Sequence, residues 1–138
     1  KYIVSFPIDK REISNAILAN QTNLKKIVEV VHKEIRKKMK LFLNKNKKRK
    51  IIILDIPLLL ENKINNKKDI LVYVDAKKSK LNKRLKNRPN FNRKLFNKFK
   101  KIQLSIDYKK RKANFIIKND FTKKSVKVGI NKILNQIT

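Results

Sequence analysis

Ile51-Ile52-Ile53-Leu54-Asp55-Ile56-Pro57-Leu58-Leu59-Leu60-Glu61 is the stretch whose reading decides the fold. Its aliphatic run, Ile51 to Leu54 ending at Asp55, has the composition of a strand buried on both faces, as in a parallel sheet. Pro57 has no N–H to offer a ladder, so the strand is expected to stop there and the chain to turn. One carboxylate, Asp55, then stands at the carboxyl end of the strand, and a second, Glu61, lies six residues on. Ligands bind at that end in open α/β sheets. The same pattern also describes a plain core strand followed by a solvated acid.

Outward from this stretch the periods alternate between helix and strand. Upstream, Leu24, Val28, Val31, Ile35 and Phe42 recur at helical steps and form one apolar stripe, with His32 beside it and Arg36 one turn further. Asp9 is placed to cap a shorter helix carrying Ile13, Ile17 and Leu18, and Asn20 to Asn23 read as a polar break. Tyr2 to Phe6, closed by Pro7, read as a short strand or a loop end. Downstream, Ile70 to Val74 is a second apolar strand between Asp69 and Asp75, and Phe115 to Ile117 a third.

Helices are expected between and after these strands. Lys77 to Asn87 carries Leu81 and Leu85 on one face and Arg84 and Arg88 on another, until Pro89 interrupts it. Asn92 is a cap for a helix with Leu95, Phe99, Ile102 and Ile106, and Thr122 opens a last helix with Val126, Ile130, Ile133, Leu134 and Ile137. Strands separated by helices describe an α/β layered fold with a parallel sheet. No repeat or linker divides the chain.

The 138 residues suffice for one domain or part of one. Cysteine is absent, which excludes a disulfide framework and a thiolate metal site and is compatible with a reducing cytoplasm. No apolar run approaches the ~20 residues that span a bilayer. The formal charge of +29 invites a nucleic-acid reading. Against it, lysine far outnumbers the arginine that base and phosphate recognition favours, and the lysines are spread over nearly every segment. They also travel with Asn and Ile and a near absence of Gly, the bias of AT-rich coding sequence. Such a field still attracts polyphosphates, more strongly at low salt.

The Pro57-Leu58-Leu59-Leu60-Glu61 run resembles the Pro-Leu-Leu-Phe/Val-Glu segment of dephospho-CoA kinases, and the likeness extends over nearly the whole chain. The resemblance implies a three-layer P-loop kinase fold with a parallel sheet, with residues 1–138 part of a single kinase domain whose lid lies at about 77–92. It implies ATP-dependent phosphorylation of the ribose 3′-hydroxyl of dephospho-CoA, the last step of coenzyme A biosynthesis, with Mg²⁺, in the cytoplasm. ATP and dephospho-CoA are the implied partners, with no membrane and no nucleic acid.

Residue by residue, the resemblance makes Arg84 and Arg88 the lid arginines that close over ATP phosphates and stabilise transition-state charge. Arg93 and Asn119 fall on the ATP side, Asn119 in the loop bordering the adenine. Leu58 and Leu59 become apolar wall of the dephospho-CoA cavity and Glu61 a polar contact or arginine anchor there. Arg11 matches a frequent arginine near the substrate and His32 the histidine of the family's His-Pro; a packed, hydrogen-bonded core histidine is the competing reading of His32. Asp55 is placed like a Walker-B carboxylate holding Mg²⁺ directly or through water, or is a strand-end acid satisfied locally. The chain departs from the family at Lys33 for proline, Leu81 for a frequent glutamine, Asn114 for aspartate and Phe121 for the usual glycine.

No Gly-x-x-x-x-Gly-Lys-Ser/Thr occurs, and the single glycine is Gly129. The expectation is therefore a C-terminal two-thirds of the kinase, incomplete without the central phosphate-loop strand and the acid that accepts the hydroxyl proton, and inactive alone. The alternatives are a basic nucleic-acid-binding domain and a non-catalytic kinase-like fragment. Steeply salt-dependent binding of DNA or RNA, without affinity for CoA species, would mark the first of these.

Overall fold

A computed structural model describes residues 4–138, which form six helices and two strands. Of the expected strand or loop end at 2–6, Tyr2 and Ile3 lie outside the described residues, and Val4 to Phe6 form no strand. The described residues divide into two compact units. The first runs to Pro57 and includes Arg93–Phe99; the second comprises Leu58–Asn92 and Lys100–Thr138.

Asp9 begins the first unit's helices as the sequence suggests: its carboxylate accepts from the Arg11 N–H at 2.7 Å and caps α1, Lys10–Ala19. The polar break at 20–23 shrinks to one residue. Asn20 alone leaves the helical conformation, and its side chain caps α2, Gln21–Lys45, by accepting from the Thr22 N–H at 2.9 Å. The two helices bury Ala16, Ile17 and Leu24. Asn23 Nδ2 donates to the Ala16 carbonyl at 3.0 Å, and Lys98 Nζ donates to that of Ile17.

The strand expected at 51–56 is not formed. These residues carry no regular secondary structure, and Ile53, far from being buried on both faces, is 85% exposed. A strand exists only where a neighbour takes its N–H and C=O groups, and no described residue does so here. Asp55 therefore lies in an irregular segment rather than at a strand end.

The second unit holds the sheet. β1, Val72–Asp75, pairs in parallel with β2, Phe115–Lys118, in the register Val72↔Phe115 to Asp75↔Lys118. Asn114 fixes the entrance of the pair: its Oδ1 accepts from the Leu71 N–H at 2.8 Å while its own N–H donates to the Leu71 carbonyl at 2.8 Å. At the exit, the Asn119 N–H donates to the Asp75 carbonyl at 2.7 Å, and Lys110 Nζ meets Asp75 Oδ2 at 2.7 Å.

Between the strands run α3, Lys78–Lys86, α4, Arg93–Ile102, and α5, Ile106–Lys112. The helix expected to continue through Ile106 breaks at 103–105. Ser105 starts a new one instead, its hydroxyl accepting from the Tyr108 N–H at 3.2 Å. α6, Lys123–Ile137, is capped by Thr122 and packs on β2 through Gly129, where a Cβ would stand 2.9 Å from Cγ2 of the buried Ile117. Among the described residues no helix is long and apolar enough to cross a membrane.

Candidate functional site

The carboxyl ends of β1 and β2 point to the site, because a parallel pair presents its connecting loops there. The loop leaving β2 is Asn119-Asp120-Phe121-Thr122. Asn119 Oδ1 accepts from the Phe121 N–H at 2.8 Å, and the Asp120 carboxylate accepts from the Thr122 N–H and hydroxyl and from the Ser125 hydroxyl. The hydroxyls of Ser125 and Thr122, then the Thr122 N–H, hold the Asp120 pKa down at about 2. Lys80 Nζ, on α3, donates to the Asp120 carbonyl at 3.1 Å. One turn on, the Arg84 guanidinium lies over the Phe121 ring, 4.7 Å from its centroid.

Together these elements enclose a groove of ≈ 470 Å³ lined by Arg84, Asn119, Phe121, Lys123 and Lys127, with Val126 and Ile130 as apolar floor. Two of the residues singled out from the sequence, Arg84 and Asn119, thus share one wall although separated by two helices and a strand. Lys123 in the first turn of α6 and Lys127 one turn on, at the positive end of the helix, give the groove the chemistry of an anion site.

Arg88 does not extend the face of Arg84. α3 ends at Lys86, and Pro89 disfavours helical backbone at the residue before it, so Arg88 stands exposed in the following turn. The expectation of two guanidinium groups on one helical face is corrected accordingly. Arg93 is the exposed first residue of α4, in the first unit. A cation there gains nothing from the helix dipole.

The Pro57-to-Glu61 run forms a turn. Leu58 takes the left-handed backbone region at φ 56, the Asn62 N–H donates to its carbonyl, and the Ile64 N–H donates to that of Leu59. Leu58 and Leu59 are half-buried. The turn aims Glu61 inward, where Oε1 accepts from Lys109 Nζ at 2.6 Å and from the Leu104 N–H at 3.0 Å. Burial pushes this carboxyl up, but the Lys109 ion pair and the backbone N–H groups of Glu61 and Leu104 outweigh it, and its pKa lies below the usual glutamate value.

In the first unit, Arg11 is exposed and pairs with Asp9 at 3.1 Å, an arrangement worth little in water. His32 is half-buried, not sealed between helices: with Glu29, Lys33, Arg36, Lys37 and Lys40 it lines a groove of ≈ 560 Å³ along α2. Asp55 is exposed, without a hydrogen-bond or ion-pair partner among the described residues. Arg11 and His32 belong to one unit, and Leu58, Leu59 and Glu61 to the other.

A family model described as dephospho-CoA kinase matches residues 7–125. The dephospho-CoA kinase of Wolbachia pipientis wMel is 32% identical over 137 residues, covering 98% of this chain and 70% of its own length. The chain belongs to the dephospho-CoA kinase family. Another dephospho-CoA kinase, from Wolbachia sp. subsp. Brugia malayi (strain TRS), is 26% identical over 138 residues, 99% of this chain and 70% of its own. That of Bartonella quintana (strain Toulouse) is 29% identical over 112 residues, 80% of this chain and 57% of its own. Within the dephospho-CoA kinase match fall Arg84, Asn119, Phe121 and Lys123; Val126, Lys127 and Ile130 of the same groove lie beyond it.

Sequence reasoning passed over three groups that the structure brings forward. Lys109, the partner of Glu61, sits in a lysine-rich helix where nothing local distinguishes it. Asp120 was legible as the residue two before a capping threonine, the spacing of a turn closed by a short acid. Phe121 stood out only as a departure from the family's glycine.

Proposed function

We propose that this protein transfers the γ-phosphoryl group of ATP to the ribose 3′-hydroxyl of dephospho-CoA, as an enzyme of the cytoplasm. The single observation that carries the reading is the groove at the carboxyl end of β2, in which Arg84 and Asn119 meet within the region matched to the family. The two compact units then belong to one kinase domain of the three-layer P-loop kinase type.

In this reading Asn119 borders the adenine, and Arg84, Lys123 and Lys127 face the phosphates. Phosphoryl transfer asks the protein mainly for positioning and charge neutralisation, because negative charge spreads over the oxygens of the transferring group. A guanidinium whose N–H edges are not tied to a carboxylate suits that task. Arg88 joins Arg84 from the turn after α3; by the family pattern Arg93, in the first unit, is a further ATP-side residue. By the family pattern, Arg11 and His32 are acceptor-side residues of the first unit, and Leu58, Leu59 and Glu61 acceptor-side residues of the second.

Mg²⁺ takes hard oxygen ligands and is held in kinases by one or two carboxylates together with substrate phosphates. Asp55, an exposed and unpartnered carboxylate, fits the single-donor role, and no cluster of three or more potential ligands occurs among the described residues. When bound, the ion neutralises charge on the nucleotide phosphates.

The test is a coupled assay of ADP formation with the complete gene product. Arg84→Ala and Arg88→Ala are each expected to lower kcat by roughly 10²-fold, the scale of one lost transition-state donor, with smaller changes in KM. Lys86→Ala, a like charge on another face of α3, is expected to change little. Equal effects from the three would reduce the segment to a charged surface.

A further inference from the structure

Phe121 has a backbone that its side chain does not favour. Its φ is 72, in the left-handed region where a bulky L-residue crowds its own carbonyl and where glycine is at ease. Nothing in the loop requires the ring to hold this shape. The turn is already fastened by the Phe121 N–H on Asn119 Oδ1, by Asp120 on Thr122 and Ser125, and by Lys80 on the Asp120 carbonyl. An outlier that the surrounding bonds enforce points to a use for the side chain itself. What the ring provides is the face beneath Arg84, 4.7 Å from its centroid.

That contact differs in kind from an ion pair. A carboxylate would take the guanidinium by its N–H edge and consume the donors that recognise an oxyanion. An aromatic face takes it by its flat side and leaves the edge free. Among the described residues no carboxylate lies within ion-pair distance of Arg84. Lys80, one turn earlier on α3, is tied to the same loop, so the helix is docked at two successive turns.

We propose that Phe121 is a positioning residue for Arg84: its ring is the platform that holds the guanidinium at the groove with its N–H edge open to nucleotide phosphate. The inference rests on the reading of Arg84 given above, and it assigns the bulky side chain at this turn a role in turnover rather than in folding.

The variants Phe121→Gly, Phe121→Trp, Arg84→Ala and Arg84→Ala/Phe121→Gly are compared in the complete gene product. Phe121→Gly relieves the backbone and removes the ring. It is expected to leave the thermal midpoint unchanged or raised while lowering kcat about two- to fivefold, the scale of an exposed cation–π contact, with KM for ATP little altered. Phe121→Trp keeps a platform and restores kcat. In the Arg84→Ala background, Phe121→Gly has no further effect. In the nucleotide-free protein, the Arg84 side-chain NMR signals, shifted upfield by the ring, return to ordinary positions in Phe121→Gly. If Arg84→Ala lowers kcat and Phe121→Gly does not, the platform is refuted while the kinase reading stands. Equal losses from Phe121→Gly with and without Arg84 would also refute it. An Arg84→Ala variant of full activity would remove the role of Arg84 itself.

Discussion

Glu61 offers the sharpest test of how the second unit is held together. Glu61→Ala deletes one acceptor that serves two donors from distant sequence, Lys109 Nζ at 2.6 Å and the Leu104 N–H at 3.0 Å. The Glu61 side chain is only 9% exposed and that of Lys109 20%, so water replaces little of what is lost. A hydrogen bond to a charged group contributes about 1.5–3 kcal/mol, and breaking a fully buried pair costs about 3–5 kcal/mol. Partial exposure of Lys109 lets the ammonium regain some hydration, which places the loss at about 2–3 kcal/mol. For a chain of this length that is a fall of roughly 6–10 °C in Tm, read by thermal or urea unfolding followed by circular dichroism. Glu61→Gln keeps an acceptor for Leu104 but not the charge, and is expected to lose about half as much. The pH dependence has a definite sign. The folded pKa lies below the ordinary 4.5, so the stabilisation is complete above that value and fades as pH falls through the lower one. In Glu61→Gln that part of the acid limb disappears. A loss under about 0.5 kcal/mol, or no coupling in a double-mutant cycle with Lys109→Met, would refute the reasoning.

Two further expectations follow from close contacts. Gly129→Ala adds helix propensity worth about 1 kcal/mol, but its Cβ would stand 2.9 Å from Ile117 Cγ2; overpacking of about 1–3 kcal/mol is expected to prevail. Unfolding measurements on Gly129→Ala, alone and with Ile117→Ala, check this, since Ile117→Ala is expected to cost less in the Gly129→Ala background. Asp120, with its pKa at about 2 against the ordinary 3.8, keeps the start of α6 in place above that ordinary value and releases it as pH falls toward the lower one. Hydrogen exchange of the first α6 amides follows the release, and Asp120→Asn is expected to speed that exchange already at neutral pH.

The local parts of the fold were legible. Asp9 and Thr122 could be read as caps because a short polar side chain before an apolar period has one good use there. The apolar stripe of α2 followed from its period, and the apolar runs at 70–74 and 115–117 gave the strands found at 72–75 and 115–118 to within two residues at each end. What failed was nonlocal or competitive. Ile51 to Leu54 has strand composition, but a ladder is a property of two segments and the run carries no information on its neighbour. The period of Leu95, Phe99 and Ile102 continues smoothly to Ile106, and hid the competition in which Ser105 caps a new helix. Arg84 and Arg88 have the spacing of one face, yet Pro89 decides how far the helix reaches. At the site, Arg84 and Asn119 were legible through the family pattern. The seat of Arg84 on Phe121 and of Glu61 on Lys109 was not, because each pairs residues whose separation only the folded chain closes.

The parallel pairing of β1 with β2 has a consequence for how the chain is made. The partners Leu71 and Asn114 are 43 residues apart, and closing such a loop costs roughly 3 kcal/mol before any bond returns it. On the ribosome, at about 5–20 residues per second, the β1 segment waits roughly 2–9 s for β2 to emerge. During that interval Ile70, Val72 and Val74 lack β2, their neighbour in the finished pair, and they remain partly exposed even in the finished fold. The residues beside them are Lys67 and Lys68 on one flank and Lys77, Lys78 and Lys80 on the other, all exposed. Charges so placed act as gatekeepers, keeping nascent apolar strands of neighbouring chains apart by repulsion. These five lysines thereby act while the chain is being made, before there is any groove for a phosphate to enter.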